Sequence, residues 1–482
     1  MSRRHRICRA ALPALFAATL GLLSACTVGP PYQRPDAPIP NTFKEAPPAD
    51  DSTWFPAAPA DALDRGPWWE LFEDPVLSSL VSQVEVTNQN VAAAVASYAQ
   101  AQALVSQQRA ALFPGIGLDA GATRNGGKGA VASGSNFRLG FTASWEPDLW
   151  GQLRLAVTGA QASAEASAAN LAGATLSAQA AVATNYFALR EADNEIELLT
   201  NAVSAYERAR QITQNQYDAG IAQRTDVLQA QTQLETTRAN LSEIVGQRAR
   251  LEHAIALLVG KPPAEFSIAV APWNARVPGV PLVVPSALLQ RRPDIAAAER
   301  AVAAANAQIG IQRAAYFPNI GLTASYGTAG GTLLSLFRTS GSVWSLGLTL
   351  AQTIFDAGAI AAKVEGAEAA RDVAIANYRQ TVLASFVAVE DQLATIRSLA
   401  EQDSQRRAAS ADADRTEQLT QNQFLQGQVP YTTVIVVQVI ALNARQALSQ
   451  LMASQQTAAV ALIQALGGGW HAPGETSAAV AH

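Results

Sequence analysis

The sequence predicts an α+β membrane protein in which one unit of long helices and short amphipathic strands is written twice. The first observation is the duplication itself. Gln108 to Leu118 reads QRAALFPGIGL and Gln312 to Leu322 reads QRAAYFPNIGL, while Gln211 to Tyr217 (QITQNQY) returns as Gln418 to Phe424 (QLTQNQF). The offset between the copies grows only from 204 to 207 positions, so both carry the same elements in the same order. The second is the absence of proline between Pro147 and Pro262 and between Pro318 and Pro430, which permits long helices. The third is a change of period between those helices, where apolar and polar residues alternate as they do in strands.

At the N-terminus, Arg3, Arg4, Arg6 and Arg9 precede an apolar run from Ala10 to Leu23 and then Leu23-Ser24-Ala25-Cys26. This pattern predicts a secretory signal over 1–25 that ends in a lipobox. Cys26 is then the lipidation site, and its acyl chains are the one covalent group expected; no other cofactor is implied. Each buried CH₂ contributes about 0.8 kcal/mol to such an anchor. Thr27, rather than Asp, leaves the lipoprotein free to be sorted to an outer membrane. The other of the two cysteines, Cys8, leaves with the signal, so no disulfide can form. Loss of the signal removes four arginines and no acid, taking the net charge from −5 to −9 and arguing against nucleic acid as a partner.

Each copy begins with a helix, Pro75 to Leu112 and Pro293 to Ala315. The strands follow. Ile116, Leu118, Ala120 and Ala122 alternate with glycine and Asp119, and Phe137, Leu139, Phe141, Ala143 and Trp145 alternate with polar or small residues. Ile320, Leu322, Ala324 and Tyr326, then Trp344, Leu346, Leu348 and Leu350, repeat the pattern. Stretches 124–135 and 328–341 are Gly- and Ser-rich and read as exposed loops. Long helices follow over Gly151 to Ala219 and Gly358 to Gln426, each about 100 Å at 1.5 Å per residue. They reverse at Gly220 and Gly427, and return helices run from Thr225 to Val259 and from Thr432 to Leu466. The domains are therefore a lipid-anchored segment over 26–75, a first repeat over 76–270, a linker over 271–292, a second repeat over 293–470 and a tail over 471–482.

Strands of about ten residues with one apolar face suit a membrane barrel; two soluble hairpins packed on a core would show the same alternation. Four strands cannot close a membrane barrel, whose smallest form has about eight, and lipid forbids an open edge. Identical subunits in closed cyclic symmetry would supply the rest, and a homotrimer gives twelve strands.

The chain resembles the TolC-like outer-membrane factors of Gram-negative bacteria, in the lipoprotein branch called NodT-type. The resemblance rests on Cys26-Thr-Val-Gly-Pro-Pro-Tyr-Gln-Arg-Pro35, Trp68-Trp69 with Phe72 and Asp74-Pro75, Leu289-Gln-Arg-Arg-Pro-Asp-Ile295, Ala304-Ala-Asn-Ala307 and Leu466-Gly-Gly-Gly-Trp470. It implies a trimeric outer-membrane β-barrel, four strands per chain, continuous with a long periplasmic α-helical barrel, with the N-terminal segment packed outside the tube. It implies a passive exit duct for drugs or other small toxic molecules. The partners would be a periplasmic adaptor (membrane fusion) protein, outer-membrane lipid and an inner-membrane pump, which in this branch is most often of the resistance-nodulation-division type.

In such proteins the periplasmic end closes where paired helices turn, and the tips at Gly220 and Gly427 would dock the adaptor. Asp226 matches an acidic position that latches neighbouring helices. A tyrosine, an arginine and two aspartates at the family's entrance fall on Phe424, Val429, Thr433 and Val436. The partners of Asp226 are therefore missing, and Arg224 or Tyr217 would have to substitute for them. Any constriction at Thr433 and Val436 would be small and apolar.

Nothing points to an enzyme. His5 leaves with the signal, His471 and His482 lie in the tail, and His253 stands alone on a helix. Other readings are the outer-membrane duct of a type I protein secretion system and a non-channel, lipid-anchored coiled-coil spacer; a spacer leaves two pairs of amphipathic strands unexplained.

Overall fold

The computed structural model describes residues 28–45, 67–126, 134–279 and 292–468. The signal over 1–25, the lipidation site Cys26 and the tail over 471–482 lie outside the described residues, as does most of the linker over 271–292. A short 3-10 helix, Trp68–Phe72, leads into α1 (Pro75–Thr87), α2 (Gln89–Ala110), β1 (Gly115–Asn125) and β2 (Gly134–Trp145). The long α3 (Gln152–Asp218) and its return helix α4 (Arg224–Leu258) complete the first copy. The second copy contains α5 (Pro293–Ala314), β3 (Asn319–Gly330), β4 (Ser342–Ala351), α6 (Ala359–Leu425) and α7 (Tyr431–Ala465). Both long helices have 67 residues and both return helices 35, so the duplication is kept to the residue at this level.

Two expectations need correction. The stretch from Pro75 to Leu112 is two helices, broken at Asn88 in extended backbone (φ −69°, ψ 123°). Asn88 Oδ1 accepts from the amides of Asn90 (2.9 Å) and Val91 (3.1 Å), capping α2, while its Nδ2 donates to the Leu258 carbonyl at 2.6 Å. Thr87 Oγ1 donates to the Val259 carbonyl at 2.7 Å. A side chain able to cap one helix and satisfy the end of another outcompetes helix continuation. The stretch over 328–341 is also less loop-like than expected: β3 runs to Gly330, and short 3-10 helices occupy Leu333–Phe337 and Thr339–Gly341.

The chain forms two compact units, and each draws on both copies. One holds the described parts of 1–37, 97–168 and 297–380 and contains the sheet. There the N-terminal strap crosses α5: the Asn306 amide donates to the Pro30 carbonyl at 2.9 Å, and the Tyr32 hydroxyl donates to Glu299. A Cβ on Gly310 would lie 2.7 Å from Gly29 Cα, so glycine is what lets the strap come this close.

The other unit holds the described parts of 38–96, 169–296 and 381–482. Its core buries Trp68, Trp69 and Phe72 with Tyr186 and Phe187, the Phe72 and Phe187 rings being 4.8 Å apart. The Tyr186 hydroxyl donates to Asp74 Oδ2 at 2.7 Å. Asp74 also caps α1 through the Val76 and Leu77 amides, with Pro75 at the first helical position. Buried Asp193 is held by Arg190 (2.9 Å) and Arg248 (2.5 Å).

Candidate functional site

The sheet has the order β1-β2-β3-β4, antiparallel throughout. The β2–β3 pairing joins the hairpin of one copy to the hairpin of the other. Leu118 faces Phe141, Phe141 faces Tyr326, and Tyr326 faces Trp344. Cross-strand partners point to the same side, so one face carries Leu139, Phe141, Leu346 and Leu348, all exposed on the single chain. The opposite face is small and polar. There Thr142 Oγ1 donates to Asp119 Oδ2 at 2.7 Å and the Ser325 and Ser345 hydroxyls are 2.8 Å apart. An apolar band on one side and a hydrophilic wall on the other is the division that a lipid-facing, water-lined sheet requires.

In the second unit, α3 and α6 end in the same way. Gly220 (φ +74°) and Gly427 (φ +73°) take the left-handed conformation. The amides just past each glycine bond back to Gln216 (2.8 Å) and Gln423 (2.9 Å), and the glycine amides to Tyr217 and Phe424 (each 2.9 Å). This double closure satisfies the last carbonyls and needs glycine for its φ.

Past the turns the copies diverge in chemistry while keeping the geometry. At positions 207 apart, Arg224 stands over the Tyr217 ring (5.7 Å to its centre) and Tyr431 packs against the Phe424 ring (5.5 Å between centres). Arg224 and Tyr217 thus pair with each other. Asp226 acts locally, its Oδ2 accepting from the Gln223 amide at 3.2 Å at the start of α4. The equivalent of Gln223 is Pro430, which has no N–H to offer, and the equivalent of Asp226 is Thr433. The missing carboxylate in the second copy therefore has a structural counterpart in the missing donor. An ion pair repeats as well: Arg238 bonds Glu207 at 2.6 Å, and Arg445 bonds Asp414 at 2.8 Å, the same pair one copy on.

Around Tyr431 the helices meet in an apolar cluster of Ala230, Tyr431 and Val434, with Ala209, Phe424 and Ile435 packed on it. The Tyr431 hydroxyl is buried without a hydrogen-bond partner, and burial pushes its pKa up. Tyr431 does not stand out in the sequence, because its partner lies across a turn, where helical periodicity carries no information. Val429 is half-buried, whereas Thr433 and Val436 are both exposed on α7. Ile440 extends that stripe at helical spacing, and it and Val436 are more than half exposed (54% and 58%).

The chain matches the family described as outer membrane efflux protein over residues 80–261 and 284–468, one match in each copy. It is 30% identical over 468 residues, 95% of each chain, to the toluene efflux pump outer membrane protein TtgC of Pseudomonas putida. It is 29% identical over 460 residues, 93% of this chain and 97% of the relative, to the cation efflux system protein CusC of Escherichia coli. Among solved structures, the outer-membrane channel OprN matches with a TM-score of 0.83 at 28% identity, covering 92% of this chain and all of that one (100%). A structure of CusC matches with a TM-score of 0.80 at 27% identity, with coverage of 92% and 100%. The duplicated helical hairpins, the two-faced sheet and these likenesses lead to one conclusion: the chain belongs to the outer membrane efflux protein family and is an outer-membrane component of efflux.

Proposed function

We propose that three copies of this chain form the passive exit duct of a tripartite efflux pump. The observation that carries this reading is the sheet, whose four strands leave β1 and β4 as edges and whose apolar face is bare on the single chain. Neither feature is stable in lipid unless β4 of one subunit pairs with β1 of the next. Three chains give twelve strands, with the polar face lining the bore.

The helix tips at Gly220 and Gly427 dock a periplasmic adaptor, which links the duct to an inner-membrane pump of the resistance-nodulation-division type. Tyr217, Arg224, Asp226, Phe424, Val429, Thr433 and Val436 border the periplasmic gate. The cargo is small toxic molecules, in keeping with relatives named for the efflux of toluene and of cations. The duct needs no catalysis and no cofactor beyond lipid. For the anchor, the Val28 amide donates to the Trp150 carbonyl at 3.3 Å, a few residues beyond the end of β2. The strap that follows the lipidation site is thus tied close to the end of β2, which supports an acyl anchor held in the bilayer.

Purified protein should run as a urea-resistant trimer and give single-channel currents in planar bilayers. A monomer without conductance would leave only the lipid-anchored spacer. Mass spectrometry of the mature N-terminus tests the anchor, and Cys26→Ser should yield unprocessed or unlipidated protein while the channel persists.

A further inference from the structure

The polar face of the sheet is nearly bare of charge. Of the strand residues whose register places them on that face, Asp119 and Arg138 are the two that carry it. The rest are Gly, Ser, Thr, Asn, Ala and one Val, so these two dominate the field along the wall. Both are exposed. Arg138 sits directly opposite Gly121. A Cβ on Gly121 would lie 3.4 Å from Arg138 Cγ and 3.7 Å from its Cδ, so the arginine stem lies along β1 over a position with no side chain. Asp119 is two residues from Gly121 on the same face, about 7 Å along the strand. Thr142 orients its carboxylate. In the second copy a cross-strand pair on this face is Ser325 and Ser345, hydrogen-bonded and neutral.

We propose that Asp119 and Arg138 are the charge-selectivity determinants of the β-lined bore, a compensated carboxylate–guanidinium pair that lets ions and cargo of either sign pass. The inference rests on the closed trimeric barrel proposed above. Screening gives the reason for compensation. At physiological salt the Debye length is about 8 Å, comparable with the separation inside one pair. Equivalent pairs on neighbouring subunits are four strands apart, about 19 Å along the wall. Each pair therefore neutralises itself, and the three pairs act separately. Removing one partner uncovers the other's charge three times around the axis. The effect should be large at about 0.01 M salt, where the Debye length is about 30 Å, and nearly absent at 1 M, where it is about 3 Å.

The experiment is the reversal potential under a potassium chloride gradient in planar bilayers, with hexaamminecobalt added from the extracellular side as a multivalent cation probe. Arg138→Gln should shift the permeability ratio about twofold or more toward potassium and create block by the probe. Asp119→Asn should shift it toward chloride, and the double variant should return toward the wild-type value. All shifts should shrink as salt rises. Should Arg138→Gln fail to assemble, Asp119→Asn alone decides by the sign of its shift. Wild-type channels with singles that leave selectivity unchanged, or that shift it in the same direction, overturn the assignment of these residues and leave the duct intact. Wild-type protein that forms no channels overturns the duct, and this inference with it.

Discussion

Two glycines with similar backbone angles illustrate how surroundings set the cost of a side chain. Gly427 has φ +73° with open space where a Cβ would stand, so Gly427→Ala meets only the left-handed penalty, about 1 kcal/mol. Gly260 has φ +65°, and its Cβ would come 2.1 Å from the Thr87 carbonyl oxygen. Gly260→Ala should therefore cost several times more, and thermal melting of the helical signal should show the gap between them. Asn88→Ala removes a helix cap and strands the Leu258 carbonyl, and about 2 kcal/mol should be lost in the same assay. A third site responds to pH. Glu191 and Glu195, one turn apart on α3, are both buried, and the Glu191 carboxyl is pushed up to about 7, first by burial and then by Glu195. Facing them, Gln446 on α7 donates to Glu195 Oε1 at 2.7 Å, and Glu243 on α4 adds negative charge. A folded pKa above the unfolded value means that the fold prefers the protonated acid. That stabilisation is complete below about 4.5 and is lost as pH rises through about 7. Glu191→Gln should flatten the unfolding temperature across about pH 5 to 8 and raise it above wild type at the alkaline end; a parallel pH profile would remove Glu191 as the cause.

Elements differ in how openly the sequence announces them. The strands were legible because Phe137 to Trp145 and Trp344 to Leu350 alternate strictly, and the structure puts their apolar residues on one face. The long helices were legible because proline is absent and Gly220 and Gly427 mark their ends. The break at Asn88 was not, since neither Gly nor Pro marks it and the deciding partner, Leu258, lies 170 residues away. The tip was half legible. Its turn glycines stand out, but the Tyr431–Phe424 packing and the Asp226–Gln223 bond depend on how the chain folds back, which no periodicity reports. The face assignment makes its own prediction. Leu348 lies on the apolar side and Thr142 on the polar side, so Leu348→Arg should cost roughly 2–4 kcal/mol in a lipid-facing site while Thr142→Arg is tolerated. Trimer yield in outer-membrane fractions measures both; a greater loss from Thr142→Arg would mean that the faces are reversed, and equal losses that the sheet is not divided between lipid and water.

In the proposed trimer any residue of one chain becomes a ring of three, so a small change at the helix tips would be multiplied around one axis. The stripe Thr433, Val436 and Ile440 on α7 is backed by buried Tyr431 and Val434, which fixes the direction in which the stripe faces. It carries no charge, and the local reason is visible in the second copy, where Pro430 offers no amide for a carboxylate at 433 to accept from. If the stripe lines the proposed gate, that entrance would be weakly selective and would close by packing or dewetting. Val436→Asp would place three carboxylates in a narrow, poorly hydrated aperture, where their field on a passing ion is less screened than on an open surface. The expected outcome is a stronger cation preference and block by multivalent cations added from the periplasmic side. That sidedness separates it from the barrel pair, whose block comes from the extracellular side. Thr433→Asp should act in the same direction one turn nearer the tip. Reversal potentials and side-specific block in planar bilayers measure this, and channels that respond to neither substitution would place the constriction elsewhere along the tube.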